Sequence, residues 1–132
     1  QLPPAWAPGV VADDVQFSRR EPSLGLVPAL TGPHPLVGLV GYARALEICV
    51  TGRFVLAEEA VGSGLANLAV PADQLDGAVK DLASAILAAP RDAVIETKAL
   101  IRGAQGRSYD EQCAAERAAQ ARRLRDLAGL GE

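Results

Sequence analysis

The distribution of proline limits this chain more than any other feature of its sequence. Seven of the nine prolines lie within the first 35 residues, and the remaining two stand far apart. Proline cannot donate a backbone hydrogen bond, and it disfavours helix in the residue before it. The first part, residues 1–34, is therefore predicted to be loop with two short strands, at 15–18 and 24–27. The second part, residues 35–132, is predicted to be helical.

The second part has the periodicity of a small helical assembly. We predict helices at 41–52, 56–66, 73–89 and 91–105, and one strand at 67–70. Gly52 is placed to end the first helix, and Asp73 is placed to cap the third. Ser108 and Glu111 form an S-x-x-E capping box that opens a last, alanine-rich helix ending near Leu127. The apolar residues predicted to face the core in the first and third helices are Ala43, Leu46, Ile48 and Val50, and Leu75, Val79, Leu82, Ala83, Ile86 and Leu87.

Composition excludes several classes of function. A chain of 132 residues with 49% apolar residues can bury a core, and its length suggests one small domain. A formal net charge of -3 argues against a nucleic-acid partner, and Arg122, Arg123 and Arg125 are interpreted as a solvated helix face. No apolar run is long enough to cross a membrane. Cys49 and Cys113 have no metal-ligand spacing and are interpreted as reduced thiols of a cytoplasmic protein.

One acidic residue is a candidate for chemistry. Glu21 lies at the start of the apolar segment "EPSLGLVPAL". Burial among apolar side chains would favour the neutral acid, whereas Arg19 and Arg20, if they face it, would hold it ionised. A solvated loop acid and a proton-transfer group therefore both stay open. The other candidates are weak: no metal site is predicted, and His34, the single histidine, is interpreted as a surface loop residue between prolines.

Three segments, in order, resemble the enoyl-CoA hydratase/isomerase (crotonase) superfamily. They read "FSRREPSLGLVP" at 17–28, "ARALEICVTGR" at 43–53 and "AEEAVGSGLANLAVP" at 57–71. The resemblance covers roughly residues 12 to 110 and concerns the C-terminal half of such proteins. It implies an α/β crotonase-like (ClpP/crotonase spiral) fragment that is mostly helical. Residues 1–34 would be the end of the spiral core, with an atypical N-terminal stretch, and residues 35–132 the helical part that builds trimers or hexamers.

The same resemblance implies a chemistry. Family members bind an acyl-CoA thioester, and hydratases add water across its 2,3 double bond with two glutamates and without a metal or redox cofactor. Glu21 aligns with the second glutamate, and the substrate-binding positions would be Leu26, Pro28, Ala29 and Gly32. The first glutamate and the two oxyanion N–H donors have no counterpart here, so this chain alone is predicted to be inactive. The alternatives are a non-catalytic helical interaction module and a pseudogene remnant.

Overall fold

The computed structural model describes residues 9–28 and 33–129. The chain divides into two compact units, Gln1–Lys80 and Asp81–Glu132, where its length suggested one small domain. Helices dominate and the few strands are short, which confirms the predicted class of a mostly helical α/β fragment. The sequence predicted a boundary between the end of the spiral core, at residue 34, and the helical part that begins at residue 35. This boundary stays a prediction.

Two pairs of short strands join distant parts of the first unit. Strand β1 (Val10–Ala12) pairs in parallel with β4 (Leu68–Val70), and β2 (Gln16–Phe17) pairs antiparallel with β3 (Val55–Leu56). The strands predicted at 15–18 and 67–70 are therefore present, each slightly shorter than predicted. Asn67 strengthens the β1–β4 pair because its Oδ1 accepts a 2.7 Å hydrogen bond from the Gly9 N–H.

The strand predicted at 24–27 is wrong. Residues Glu21–Leu24 form a single 3₁₀ turn, and Gly25 closes it in the left-handed conformation (φ 72°). Pro22 favours such a turn because its fixed φ suits the first positions of a helix. Ser23 adds to it: both its N–H and its Oγ donate to the Arg20 carbonyl, at 3.1 and 2.7 Å. Local hydrogen bonds therefore replace the partner strand that an extended segment would need.

Three helices complete the first unit: α1 (Pro33–Val40), α2 (Tyr42–Thr51) and α3 (Ala57–Gly62). Helix α2 ends at Gly52, as predicted, with φ at 62°. His34 is exposed, but it lies in the first turn of α1 and not in a loop. Proline is tolerated there because the first N–H groups of a helix have no intrahelical acceptor.

The core of the first unit is small and is assembled from segments far apart in sequence. Its buried members are Leu36, Ala45, Ile48, Val55, Ala60, Leu65 and Ala66. Of the residues predicted to face the core from α2, only Ile48 is buried, while Leu46 and Val50 are exposed. The neighbouring Ala45 takes the second buried position. Ala45 and Ile48 are three residues apart and so share one face of the helix, and that face, rather than the one with Leu46 and Val50, is buried.

Three longer helices follow: α4 (Leu75–Ala88), α5 (Arg91–Ala104) and α6 (Tyr109–Leu127). Asp73 does not cap α4, since it lies inside a second 3₁₀ turn, Ala72–Gln74, that leads into the helix. The helix predicted at 73–89 is present, but the apolar stripe predicted to face the core does not do so: no α4 residue is buried, and Leu87 is 82% exposed. None of the helices in the described ranges is long and apolar enough to span a membrane.

Polar contacts join α5 to α6 in the second unit. The predicted capping box is confirmed: Ser108 Oγ accepts from the Glu111 N–H, and Glu111 accepts a 2.7 Å bond from the Ser108 N–H. Arg122 donates two hydrogen bonds to Glu96, of 2.9 and 2.6 Å. Among the described residues of this unit, only Ala119 is buried. The cap thus fixes the start of α6, and the Arg122–Glu96 pair links α6 to α5.

Candidate active site

Glu21 is the first residue of the 3₁₀ turn, and three residues separate it from the end of β2. Its carbonyl accepts a 3.0 Å hydrogen bond from the Leu26 N–H, and the Pro22 carbonyl accepts one of 3.0 Å from the Gly25 N–H. The turn is thus closed at both ends by backbone hydrogen bonds. This closure fixes where the Glu21 side chain leaves the backbone.

The carboxylate of Glu21 is paired with one of its two neighbouring arginines. Arg19 Nη1 lies 3.3 Å from Glu21 Oε1, and the Arg19 side chain is only 13% exposed, while that of Glu21 is 31% exposed. Arg20 is exposed to solvent. Of the two arrangements left open by the sequence, the one with an arginine facing the acid is therefore present. The carboxylate remains partly accessible, so a second molecule could reach it.

An apolar surface follows Glu21. Leu24, Leu26 and Val27 are 73%, 60% and 81% exposed, and Pro28 is half-buried. Exposure of three large apolar side chains within one short segment is unusual for a loop and is typical of a surface that contacts another group. Ala29 and Gly32, the other predicted substrate-binding residues, lie outside the described residues. The roles predicted for Glu21 and these four residues stay predictions.

A second segment supports the Glu21 turn from behind. Ser18 Oγ donates a 2.8 Å hydrogen bond to the carbonyl of Gly52. The Gly52 backbone also packs so closely on the chain before Glu21 that a Cβ placed on it would lie 3.2 Å from the Arg19 carbonyl oxygen and 3.7 Å from the Arg20 Cα. The end of α2 and the start of the Glu21 turn are therefore in direct backbone contact.

Arg53 fixes the segment that contains Gly52. It donates to Glu47 at 2.6 and 2.8 Å, to Glu59 at 2.7 Å twice, and to the Phe54 carbonyl at 3.1 Å. Hydrogen bonds from Arg53 hold the pKa of both Glu47 and Glu59 below the usual carboxyl range, and the two carboxylates in turn raise the pKa of Arg53. One guanidinium thus connects α2, the loop before β3 and α3 in a planar, bidentate geometry.

Two features near the turn carry no chemistry of their own. Cys49 packs at the edge of the core, and burial raises the pKa of its thiol, which makes it a poor nucleophile. Over residues 9–28 and 33–129, no group of three His, Cys, Asp or Glu side chains is placed to hold a metal ion. The chemistry that the described site can offer is that of one carboxylate beside an arginine, next to an apolar surface.

The sequence did not identify Ser18, Gly52 and Arg53 as parts of this arrangement. Gly52 was recognised as a helix terminator, which accounts for its conformation but not for its contact with Arg19. Ser18 and Gly52 are 34 residues apart. No periodicity or local motif in a single sequence reports a contact over that separation. The charges at Glu47, Arg53 and Glu59 were the one available signal, because each acid lies six residues from the arginine.

Comparison with known proteins relates this geometry to one family. A profile of the "Enoyl-CoA hydratase/isomerase" family matches residues 9–126. A short-chain-enoyl-CoA hydratase of Clostridioides difficile is 36% identical over 97 residues, which is 73% of this chain and 63% of that protein. A Mycobacterium leprae relative assigned as an enoyl-CoA hydratase is 36% identical over 84 residues, 64% of this chain and 33% of the relative.

Solved structures share the fold. A Thermobifida fusca YX protein assigned as an enoyl-CoA hydratase, in complex with CoA, superposes with a TM-score of 0.86 at 43% identity, over 91% of this chain and 47% of that one. The same protein has been solved in complex with acetoacetyl-CoA. An enoyl-CoA hydratase of Mycobacterium smegmatis gives a TM-score of 0.86 at 32% identity, over 90% and 46%. This chain therefore spans about half the length of the solved proteins it matches.

Proposed function

The chain belongs to the enoyl-CoA hydratase/isomerase family, and from that premise we propose that it supplies one acid/base group for the addition of water to a 2-enoyl-CoA thioester. The group is Glu21, and it acts at the α-carbon side of the double bond. The apolar surface of Leu24, Leu26 and Val27 forms part of the wall that receives the acyl chain. Pro28, Ala29 and Gly32 continue that wall. In this proposal an acyl-CoA thioester is the substrate, within cytoplasmic fatty acid metabolism by β-oxidation.

The observation that carries the proposal is the construction around Glu21. A partly exposed carboxylate stands at the start of a closed turn, with one arginine partner and exposed apolar residues immediately after it. Hydration of an enoyl thioester needs a positioned acid or base beside an apolar binding surface. The matching T. fusca structures, solved with CoA and with acetoacetyl-CoA, support a thioester as the ligand class.

The proposed reaction also needs groups outside this chain's matched region. A developing enolate oxygen is stabilised by two N–H donors, and removal of one such donor costs about 3 kcal/mol in transition-state stabilisation. We therefore propose that the 132-residue chain alone turns over little or no substrate. The full activity would belong to a molecule in which a first glutamate and both donors are present.

A hybrid protein tests this proposal. Residues 9–126 replace the corresponding segment of the T. fusca protein, and the hydration of a short 2-enoyl-CoA is followed by loss of the absorbance of the C=C bond conjugated to the thioester carbonyl. We expect turnover by the hybrid and little by the 132-residue chain. A hybrid that folds and binds CoA yet shows no turnover would contradict the proposal. Turnover by the chain alone at the rate of the hybrid would contradict its second part.

No metal or redox cofactor takes part in the proposed reaction. Hydration needs neither, since the water oxygen bonds to C3 and loses a proton to one carboxyl group while the α-carbon gains a proton from the other, Glu21, with no net oxidation or reduction. Addition of a strong chelator to the hybrid should leave its turnover unchanged. A loss that Mg²⁺ or Zn²⁺ restores would contradict this part of the proposal.

A second observation favours association of this chain with further copies of itself. Such association would also be the function of the chain if it were a non-catalytic interaction module. Tyr109, Leu124 and Leu127 of α6 are 83%, 56% and 85% exposed, and the rest of that helix is rich in alanine. We propose that α6 packs against another copy of this chain, in a trimer or a pair of trimers. Light scattering over a range of concentrations should give a mass above 13.7 kDa, and a Leu127→Lys variant should lower it. A monomer at every concentration would rule this out.

A further inference from the structure

We propose that Gly52 is a positioning residue for the carboxylate of Glu21. This inference rests on the proposed function, because it concerns the same carboxylate. The Thr51–Arg53 turn at the end of α2 forms a platform on which the backbone of Arg19 and Arg20 lies, and that backbone sets the origin and direction of the Glu21 side chain.

The contact between platform and turn involves the backbone on both sides. Ser18 Oγ donates a 2.8 Å hydrogen bond to the Gly52 carbonyl. On the same face, the Arg19 carbonyl oxygen and the Arg20 Cα lie 3.2 and 3.7 Å from where a Gly52 Cβ would stand. The two segments therefore approach each other more closely than a side chain at position 52 would allow. Any displacement of the platform moves the two residues that precede Glu21.

Two independent constraints select glycine at this position. The backbone of Gly52 is left-handed, with φ at 62°, a region that residues with a Cβ occupy at a cost of about 1 kcal/mol. The second constraint is the contact itself, because the nearest atoms are backbone and cannot rotate away as the end of a long side chain could. Gly41, with φ at 80° and ψ at 162°, lies in a region still more restricted to glycine, but no atom lies within 4 Å of where its Cβ would stand, so Gly41→Ala adds at least as much backbone strain without the contact. It separates the first constraint from the second.

The platform is rigid from its other side. Arg53 follows Gly52 directly and is held by hydrogen bonds to both Glu47 and Glu59. Thr51 precedes it, and its Oγ1 donates a 2.8 Å bond to the Glu47 carbonyl while accepting one of 3.3 Å from the Arg53 N–H. With both neighbours fixed to α2 and α3, strain from a new side chain at 52 would pass to the Arg19–Arg20 backbone.

The Arg19–Glu21 ion pair makes that displacement measurable. Its atoms are 3.3 Å apart, close to the limit at which small backbone shifts break or tighten the contact. Catalytic groups need to be held within about 0.5 Å of their productive position. A shift too small to unfold the chain would therefore be enough to alter what Glu21 can do.

The experiment follows the Glu21 carboxyl carbon by NMR in the 132-residue chain labelled with ¹³C-glutamate. The signal is assigned by its absence in Glu21→Gln, and Arg19→Gln supplies the signal of the unpaired carboxyl. We expect Gly52→Ala and Ser18→Ala to move the Glu21 signal towards the Arg19→Gln position. Gly41→Ala, which adds backbone strain in open space, should leave it unchanged. Ser18→Thr, which keeps the hydroxyl, should restore the native signal.

The design separates positioning from stability. Thermal melts of each variant measure folding, and a merely structural Gly52 would lower the melting temperature without moving the Glu21 signal of the folded chain. An unmoved signal in folded Gly52→Ala and Ser18→Ala would overturn the inference. If Gly52→Ala does not fold, Ser18→Ala and its threonine control decide alone. Turnover of the hybrid tests the proposed function separately, so an inactive hybrid with a shifted Glu21 signal would remove the function and leave the positioning role.

Discussion

Different contacts stabilise each of the two compact units of this chain. In the unit Gln1–Lys80, the buried cluster brings together residues from α1, α2, β3, α3 and the segment after α3. In the unit Asp81–Glu132, the consecutive helices α5 and α6 are linked by the Arg122–Glu96 pair, a capping box starts α6, and among the described residues Ala119 alone is buried. The first unit depends on contacts distant in sequence, and the second on local signals and charge.

This difference matters for where a reactive group can be placed. A carboxylate is held accurately when its backbone touches rigid elements from elsewhere in the chain, as the Glu21 turn does at Gly52. Charge pairs between helices, such as Arg122–Glu96, are partly exposed and hold a helix less firmly, because pairs that water can reach contribute little. We accordingly place chemistry in the first unit and association in the second.

The largest expected effect comes from the core of the first unit. Val55 has no exposed surface, and its replacement in Val55→Ala should lower the free energy of unfolding by about 2 kcal/mol, from lost burial and the cavity that remains. Val50→Ala is the matched control: Val50 is 64% exposed on α2, so we expect almost no change. Urea unfolding followed by circular dichroism measures both. Equal losses would show that this small cluster is not the stabilising core.

A smaller effect is expected at the cap of α6. Ser108→Ala removes the side-chain acceptor for the Glu111 N–H and should cost about 1 kcal/mol. Ser84, exposed in the interior of α4, provides the control, since Ser84→Ala should be neutral or slightly stabilising. Amide hydrogen exchange in the first turn of α6 should rise only in Ser108→Ala. Unchanged exchange would mean that tertiary packing, and not the cap, holds this helix start.

Two helical glycines offer a still finer comparison. Gly77→Ala in α4 meets no atom within 4 Å and should stabilise the chain by about 0.5–1 kcal/mol through helix propensity. Gly103→Ala would place a Cβ 2.5 Å from the Arg107 guanidinium, which donates to the Leu100 carbonyl and to Gln112. The guanidinium can move, so we expect that the gain is cancelled and not reversed. Equal stabilisation by both changes would show that the Arg107 contacts contribute nothing.

The smallest effect is expected from acid titration. Hydrogen bonds from Arg53 lower the pKa of Glu47 and Glu59, and those from Arg122 lower that of Glu96, each from the usual value of 4.5. Because these pKa values are lower in the folded chain, their contribution is complete above the unfolded value and is lost as pH falls through the lowered ones. The urea concentration at the midpoint of unfolding should therefore decrease as the pH is lowered from about 6 to about 3.

A matched variant assigns that slope to the ion pairs. Arg53→Gln should reduce the decrease in stability of the first unit at acid pH. The decrease that is due to the Glu96–Arg122 pair should remain. High salt should weaken the exposed pairs of both units. A titration curve that Arg53→Gln leaves unaltered would mean that other carboxylates account for the acid sensitivity.

The parts that sequence predicted are those governed by local rules. The helix end at Gly52, the capping box at Ser108 and the strand before Pro71 depend on residues within a few positions of one another. The strand predicted at 24–27 and the cap at Asp73 failed because competing local options, a 3₁₀ turn in each case, left no mark in the apolar pattern. The exposed stripe of α4 failed for another reason, since periodicity gives the apolar face of a helix but not the partner that covers it.

In the candidate site, Glu21 could be identified from the sequence, but the backbone contact that supports its turn could not. Glu21 and the arginine pair were identified from their neighbours, and Arg19 was correctly considered as a partner. The approach of Gly52 depends on how α2 packs against the Glu21 turn, which no motif within either segment encodes. Likewise, the family resemblance included the stretch "ARALEICVTGR" at 43–53 without giving the reason for its glycine.

The most direct test of this account is the turnover of the hybrid protein after a single exchange at Glu21. In Glu21→Gln the side chain keeps its size and loses its acid/base function, and we predict a fall in kcat of about 10²- to 10⁴-fold with little change in KM. Glu58→Gln, an exposed acid in the first turn of α3, should leave kcat unchanged. Undiminished turnover in Glu21→Gln would contradict the account, since no acid/base role for this carboxylate would then remain.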